Sequence, residues 1–343
     1  MKNKKQQALE LIHVDGFSAF TLTNDRMSVT VIPSLGGKII SLQSRQTGVE
    51  WLWRNEALPY RPACYGDNYV RAHDTGGIDE CVPTVDTCRL PTSAGIWGGS
   101  LLPDHGEIFS QSWQLINAVV DEQGTAILHL EVQGEALPYR FQRMMRLPAG
   151  DADLELEYRV DNKSSHPMPF FWCMHPIINI LPGMTLHLPA GQKMRTAWSS
   201  DVAPTIRHEC FEWPVTKFGY DMSKVPGEGV PAFAAKIFTD AKLQAERAGE
   251  PVQVGLERPD SGEKLTFAFL PEEVPHLALW LNYNAWHGAG KTPYFNLGFE
   301  PTNSNTDSLA EQMKAGDETV MVAPNDAKLW RLTLNLAIGE PAK

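Results

Sequence analysis

Residues 154–160 read LELEYRV, and residues 330–336 read WRLTLNL. Every second side chain is apolar: Leu154, Leu156, Tyr158 and Val160 in the first stretch, Trp330, Leu332, Leu334 and Leu336 in the second. Successive side chains of a β-strand point to opposite faces, so a period of two predicts strands with one face in a core and the other in water. Working outward, Met27–Ile32, Lys38–Leu42, Ala126–Val132, Tyr139–Leu147, Met168–Cys173, Leu265–Leu270, Leu277–Leu281 and Tyr294–Phe299 are also short and rich in strand-forming residues. Turn residues separate them, as in Pro33-Ser34-Leu35-Gly36-Gly37 and Leu147-Pro148-Ala149-Gly150-Asp151. Helical signals are few. Ala8–His13 reads as a single turn, and Asp307–Lys314 as one short helix whose Ser308 and Glu311 fit a capping box. Strands without alternating helices imply an all-β protein, a large sandwich rather than a parallel βαβ sheet. No repeat, low-complexity stretch or linker divides the chain, so a single domain over 1–343 with a core of about 20–340 is expected.

The bulk properties narrow the partners. The chain has 343 residues, 43% of them apolar and 21% charged, with a net charge of −11. That charge argues against nucleic acid or an anionic membrane as partner, since either calls for a basic patch. The one basic cluster, Lys2–Lys5, reads as a solvated tail. Nothing approaches 18 uninterrupted apolar residues, and Gln6, Gln7 and Glu10 interrupt any apolar segment that would make the start a signal peptide. Five cysteines, Cys64, Cys81, Cys88, Cys173 and Cys210, form no C-x-x-C pair and no even framework, which suits a reducing cytoplasm.

Chemistry first shows at residues 102–113, LPDHGEIFSQSW. His105 precedes Gly106 on an expected tight turn, with Asp104 and Glu107 on either side and Trp113 close behind. Three readings compete for it: a structural turn, a metal ligand, or half of an acid/base pair. The surrounding stretch from Trp53 to Trp113 has little periodicity and many polar residues, a pattern typical of functional loops on a β framework. Its tryptophans suit sugar rings, although tryptophan is also ordinary core material. Two further places stand out. FFWCMHPII puts His175 at the end of an aromatic strand, and YFNLGFEPTN ends an apolar strand on Glu300 before Pro301. Two histidines and a glutamate are what reversible proton transfer needs. A core histidine satisfied by a carbonyl and a solvent-exposed glutamate are the structural alternatives. No compact His-x-His or His-Glu-x-x-His spacing supports a metal, and no G-x-S-x-G, G-x-G-x-x-G or P-loop supports a serine hydrolase or a nucleotide cofactor. Neither metal nor cofactor is expected.

At this point the chain resembles the aldose 1-epimerase, or galactose mutarotase-like, family. VIPSLGGKIISLQSRQTGVEWLW resembles its N-terminal strand pair, LPDHGEIFSQSW its His-Gly segment followed by Trp, FFWCMHPIINI the strand bearing its second active-site histidine, and FNLGFEPTN the strand ending in its catalytic glutamate and proline. These landmarks run in order from Val31 to Leu309. The resemblance implies a β-supersandwich with an open carbohydrate cleft and no cofactor. It implies that Glu300 takes the proton of the anomeric hydroxyl, that His175 protonates the ring oxygen, and that His105 binds and polarises the same region. The ring opens, C1–C2 rotates, and reclosure gives either anomer. Arg71, Asp79, Glu80 and Trp113 are the candidate substrate-binding residues.

The sequence also departs from the family pattern. Asn68 and Arg71 are spaced differently from the family's Asn-Arg pair, and Ile177 stands where an aromatic residue follows His-Pro. Gly76-Gly77 reads equally well as a plain turn. The expected partner is a small sugar, with the chain a monomer or homodimer, and Arg71, Arg89 and Arg195 are candidates to clamp a phosphate. Two alternatives remain: a non-catalytic carbohydrate-binding protein on the same fold, and a lyase or hydrolase that pairs Asp79 or Glu80 with Glu300.

Overall fold

The computed structural model describes residues 8–314 and 321–339; the Lys2–Lys5 cluster lies outside them. Two antiparallel sheets dominate. The larger has eleven strands, in the order Leu9–Val14, Phe17–Thr23, Met27–Ile32, Lys38–Ser44, Gly77–Cys81, Cys173–Asn179, Phe295–Thr302, His276–Tyr283, Phe233–Thr239, Lys193–Ser199 and Cys210–Glu212. The smaller has eight, in the order Thr185–His187, Val252–Glu257, Glu263–Phe269, Ala327–Ile338, Asp153–Asn162, Tyr139–Leu147, Ala126–Gln133 and Gln114–Val120. The two stretches read first, LELEYRV and WRLTLNL, are neighbours in the smaller sheet, with Tyr158 opposite Trp330 and Leu156 opposite Leu332. Helices are short, as expected for an all-β chain: Tyr69–Ala72 and Leu309–Lys314, with 3-10 turns at Thr92–Trp97 and Ile108–Ser110. Among the described residues no helix is long and apolar enough to cross a membrane.

The alternating apolar faces of both sheets meet in one continuous cluster, which draws Val29, Val31 and Leu42 from the larger sheet and Leu128, Phe141 and Leu156 from the smaller. Phe267 of the smaller sheet meets Phe299 of the larger with ring centroids 5.1 Å apart. A polar tie crosses the same space. Arg143 of the smaller sheet donates to Glu80 Oε1 at 3.0 Å, and the Tyr158 hydroxyl and Trp172 indole N–H complete the carboxylate's partners. Burial pushes the Glu80 carboxyl up, against the pull of Arg143. A charge paired and hydrogen-bonded in this way is tolerated in a core, whereas a lone one is not.

Three readings of the sequence need correction. Ala8–His13 is not a helical turn: Leu9–Val14 is a strand that pairs with Phe17–Thr23 across Asp15-Gly16. Both turn residues have positive φ, 49° and 87°, as a two-residue hairpin requires. Met168–Cys173 is not one strand. Met168–Pro169 pairs with Met321–Val322, and Cys173–Asn179 starts anew in the larger sheet. Between them the Trp172 N–H donates to the Asn303 side chain, and its carbonyl accepts from the Thr302 hydroxyl and the Asn303 N–H. Nor does the last site strand stop at Glu300; it continues through Pro301 to Thr302. The short helix begins at Leu309, with Ser308 Oγ accepting from the Glu311 N–H at 3.3 Å.

Candidate active site

Pleating decides which side chains leave the core. On Phe295–Thr302, Leu297 and Phe299 join the core cluster, so Asn296, Gly298 and Glu300 face the other side of the larger sheet. The neighbouring strand is registered with Cys173 opposite Thr302 and Ile177 opposite Gly298, which brings His175 alongside Glu300. His175 Nε2 lies 3.8 Å from Glu300 Oε1. Gly298 makes room for the carboxylate: a Cβ there would lie 2.5 Å from Glu300 Oε1 and 2.9 Å from Trp280 Cβ. Glu300 is wholly buried, so the solvent-exposed alternative falls away.

His105 arrives from a loop. Gly106 donates to the Pro103 carbonyl at 3.1 Å, and His105 itself adopts a left-handed φ of 57°. Gly106 is obligatory, since a Cβ would sit 2.2 Å from the Val82 carbonyl oxygen. Glu107 turns away from the cleft and pins the loop, accepting from the Ala136 N–H and the Tyr139 hydroxyl, both at 2.7 Å. The imidazole of His105 stacks on Tyr69 at 3.9 Å and meets His175 edge-on, centroids 5.2 Å apart. The turn reading and the acid/base reading of His105 are therefore compatible.

These three residues line one cavity of about 540 Å³, which also takes in Asp74, Asp86, Lys236, Trp280, Trp286 and Asp307. Glu300 Oε1, His175 Nδ1 and Asn296 Oδ1 are buried without a hydrogen-bond partner in the protein. Buried polar atoms are nearly always paired, so three orphans around one cavity call for a polar ligand. Among the described residues no group of three or more His, Cys, Asp or Glu is placed to hold a metal ion.

The electrostatics separate the two histidines. Burial alone would pull His105 down, but its Nδ1 hydrogen bond to Asp104 Oδ1, at 3.0 Å, and the charges of Asp104, Asp74 and Asp79 outweigh it and raise its pKa. His175 is driven well below its ordinary value by burial, then by the neighbouring His105 and Lys236. Asp74 is raised to about 6, chiefly by burial. Lys236 reaches Glu300 Oε2 at 2.5 Å and Asp307 Oδ1 at 3.3 Å; against the cost of burial, these two carboxylates raise its pKa.

The four candidate substrate-binding residues lie elsewhere. Trp113 is buried in the core, its N–H donating to the Ile108 carbonyl at 3.0 Å and its ring packed on Gly37. Glu80 falls on the inner face of its strand and is the partner of Arg143, because adjacent strand residues point oppositely. Asp79 faces the cleft side but is taken up below it by Lys38 and by the Tyr69 hydroxyl at 2.6 Å. Arg71 is exposed on the short helix whose Tyr69 and Val70 line the cavity. Of the three arginines considered for phosphate, Arg195 alone lines the cavity, and Arg89 donates to the Gly99 carbonyl. Gly76 and Gly77 hold φ of 75° and 80° against the backbones of Trp53 and Ile39, but they are not a plain turn: Gly76 bridges to Arg54 and Gly77 opens the Gly77–Cys81 strand. Sequence reasoning missed Lys236, Asp74 and the wall of Trp280 and Trp286.

A two-sheet β-sandwich with a histidine–glutamate cleft on one sheet is the architecture of carbohydrate-active proteins of the mutarotase type. The sequence profile of the aldose 1-epimerase family matches residues 18–226, and the chain belongs to that family. Similar solved structures include a galactose mutarotase-like protein from Clostridium acetobutylicum, at 15% identity and a TM-score of 0.69, with 98% of this chain and 100% of that one covered. The Slr1438 protein of Synechocystis sp. PCC 6803 has 18% identity and a TM-score of 0.65, with 99% and 100% covered. A galactose mutarotase-like protein from Lactobacillus casei has 15% and 0.59, with 93% and 100% covered. At such identities the likeness is one of fold. No curated protein sequence matches the chain.

Proposed function

We propose that the protein interconverts the α and β anomers of a reducing sugar by acid/base ring opening and reclosure. Glu300 is the base for the anomeric hydroxyl, and the two histidines serve the ring oxygen. The observation that carries this reading is the trio of unpaired buried atoms, Glu300 Oε1, His175 Nδ1 and Asn296 Oδ1, on one cavity beside a second histidine. A sugar offers hydroxyl donors and acceptors for each. The proton leaves O1 for the carboxylate while another arrives at the ring oxygen, so the charge on the sugar stays balanced as the C1–O5 bond breaks.

The resemblance makes His175 the acid, but the pKa directions favour a different division. Burial and its charged neighbours hold His175 toward its neutral form, whereas the contact with Asp104 favours the protonated form of His105. Delivery by His105 runs with that direction; delivery by His175 needs its pKa to rise once substrate is bound. Comparing His105→Asn with His175→Asn in exchange rate separates the two.

The hydrolase alternative loses support because neither Asp79, held by Lys38 and Tyr69, nor Glu80, held by Arg143, lines the cavity that Glu300 lines. The binding-protein alternative is decided by experiment. Anomer exchange is measured by NMR on free, phosphorylated and acidic sugars. Exchange above the spontaneous rate on any of them supports the epimerase; ligand-induced tryptophan fluorescence changes without exchange would favour a binding protein.

A further inference from the structure

The Lys193–Ser199 strand contains a fault in its pleat. Arg195 pairs with Phe238 and Thr196 with Ile237, yet Trp198, not Ala197, pairs with Lys236. One residue is inserted between Thr196 and Trp198, a β-bulge. Thr196 points inward, fully buried, with its hydroxyl 2.6 Å from that of Thr205. Regular alternation from Thr196 would turn Trp198 inward as well. The bulge reverses it, and Trp198 stands on the cleft face, 41% exposed, lining the same cavity as Glu300. Bulges commonly re-aim a side chain beside a functional site.

Trp198 does not stand alone. Its ring lies 5.6 Å from that of Trp280 at 33°, so the two indoles form one shallow apolar platform. The register runs Gly298, Trp280, Lys236, Trp198 across four neighbouring strands. With strands about 4.8 Å apart, Trp198 is three steps and about 14 Å from the Glu300 strand. From O1 to O4 a pyranose spans on the order of 6 Å, the reach of a few bonds of about 1.5 Å. One ring is thus shorter than the main-chain separation between the Glu300 and Trp198 strands.

We infer that Trp198 and Trp280 form a second carbohydrate subsite, and that the substrate is a reducing disaccharide or longer oligosaccharide whose reducing-end ring occupies the Glu300 cleft. O4 lies across the ring from the anomeric carbon, so a 1,4-linked residue continues away from the reacting centre toward the platform. The C–H face of a sugar packs on indole while its hydroxyls find polar partners at the edge. The lining of the cavity also includes Arg195, Arg207 and Glu311, groups of both signs that suit neutral hydroxyls better than one anionic group. The inference rests on the epimerase reading for the reacting ring, but the platform is testable without it.

The experiment compares anomer exchange by NMR, per reducing end, on cellobiose, maltose and lactose against glucose and galactose. The wild type is expected to prefer at least one disaccharide in kcat/KM. Trp198→Ala should lower that disaccharide-to-monosaccharide ratio by about tenfold, through KM, as the loss of one aromatic contact implies. Trp198→Phe, which keeps a ring, should retain most of the preference. A wild type with no disaccharide preference, or a Trp198→Ala variant that lowers both substrate classes alike, would overturn the subsite. If no sugar exchanges at all, the epimerase reading fails and the subsite is judged by binding. Saturation transfer from the protein to the non-reducing ring of cellobiose, maltose or lactose, lost in Trp198→Ala, supports it; no transfer to any of them overturns it.

Discussion

Replacing Asp74 with asparagine should make the protein more stable at neutral pH and no more stable in acid. Asp74 is buried beside the cleft, and its carboxyl pKa is raised from 3.8 to about 6, first by burial, against the opposing charges of His105 and Lys38. Between those two values the folded chain holds a proton that the unfolded chain has lost, so folding is progressively disfavoured as pH rises through the window. Above pH 6 the whole deficit is present. About two pKa units at about 1.4 kcal/mol each amount to about 3 kcal/mol. Asparagine has the same shape and cannot ionise, so it should recover most of that above pH 7 and nothing below pH 4. Urea unfolding of both proteins at pH 4 and pH 7.5 measures the difference directly. Equal stability at pH 7.5, or a variant weakened at both pH values, would refute the reasoning. A group held at such a cost in a cavity is expected to serve the ligand, so exchange activity should fall in the same variant.

Three other perturbations test separate parts of the site. Asp104→Asn removes the hydrogen bond and charge that hold His105 up. The alkaline limb of the exchange pH profile should move to lower pH, with a smaller loss at the optimum than for Glu300→Gln; an unmoved limb would count against a charged His105. Gly298→Ala sets a Cβ 2.5 Å from Glu300 Oε1, so the displaced base should cost exchange about 10²-fold while the fold survives, measured by NMR beside circular dichroism. Lys236→Met leaves Glu300 and Asp307 facing each other without their cation. Chemical unfolding should show a loss of about 3–5 kcal/mol at pH 7, shrinking in acid as the carboxylates protonate.

The legible part of the fold was the part with one wet face. Tyr139–Leu147 and Asp153–Asn162 bury alternate residues, and the alternation is written in their sequences. Phe233–Thr239 is buried at all seven positions, so its residues carry no period. Lys236 went unnoticed with it, since a lysine in an unread segment looks like any surface lysine. The Asp15-Gly16 hairpin was there to be read, because Asp-Gly between apolar runs is a turn signal. Trp198 was not, because its direction depends on a one-residue bulge that composition does not encode. For the site, His105, His175 and Glu300 are 70 and 125 positions apart along the chain; their chemistry grouped them as an acid/base set, and family resemblance supplied their roles. Proximity in sequence misled at Glu80 and Trp113, which neighbour cleft-side groups but point into the core.

The central claim is that Glu300 is the base of an anomer exchange. The most direct measurement is the exchange rate of the best sugar with wild type and Glu300→Gln at equal folded concentration. Loss of a general base should reduce the rate by about 10² to 10⁴-fold while folding is retained. A Glu300→Gln variant that exchanges anomers at the wild-type rate would contradict the account.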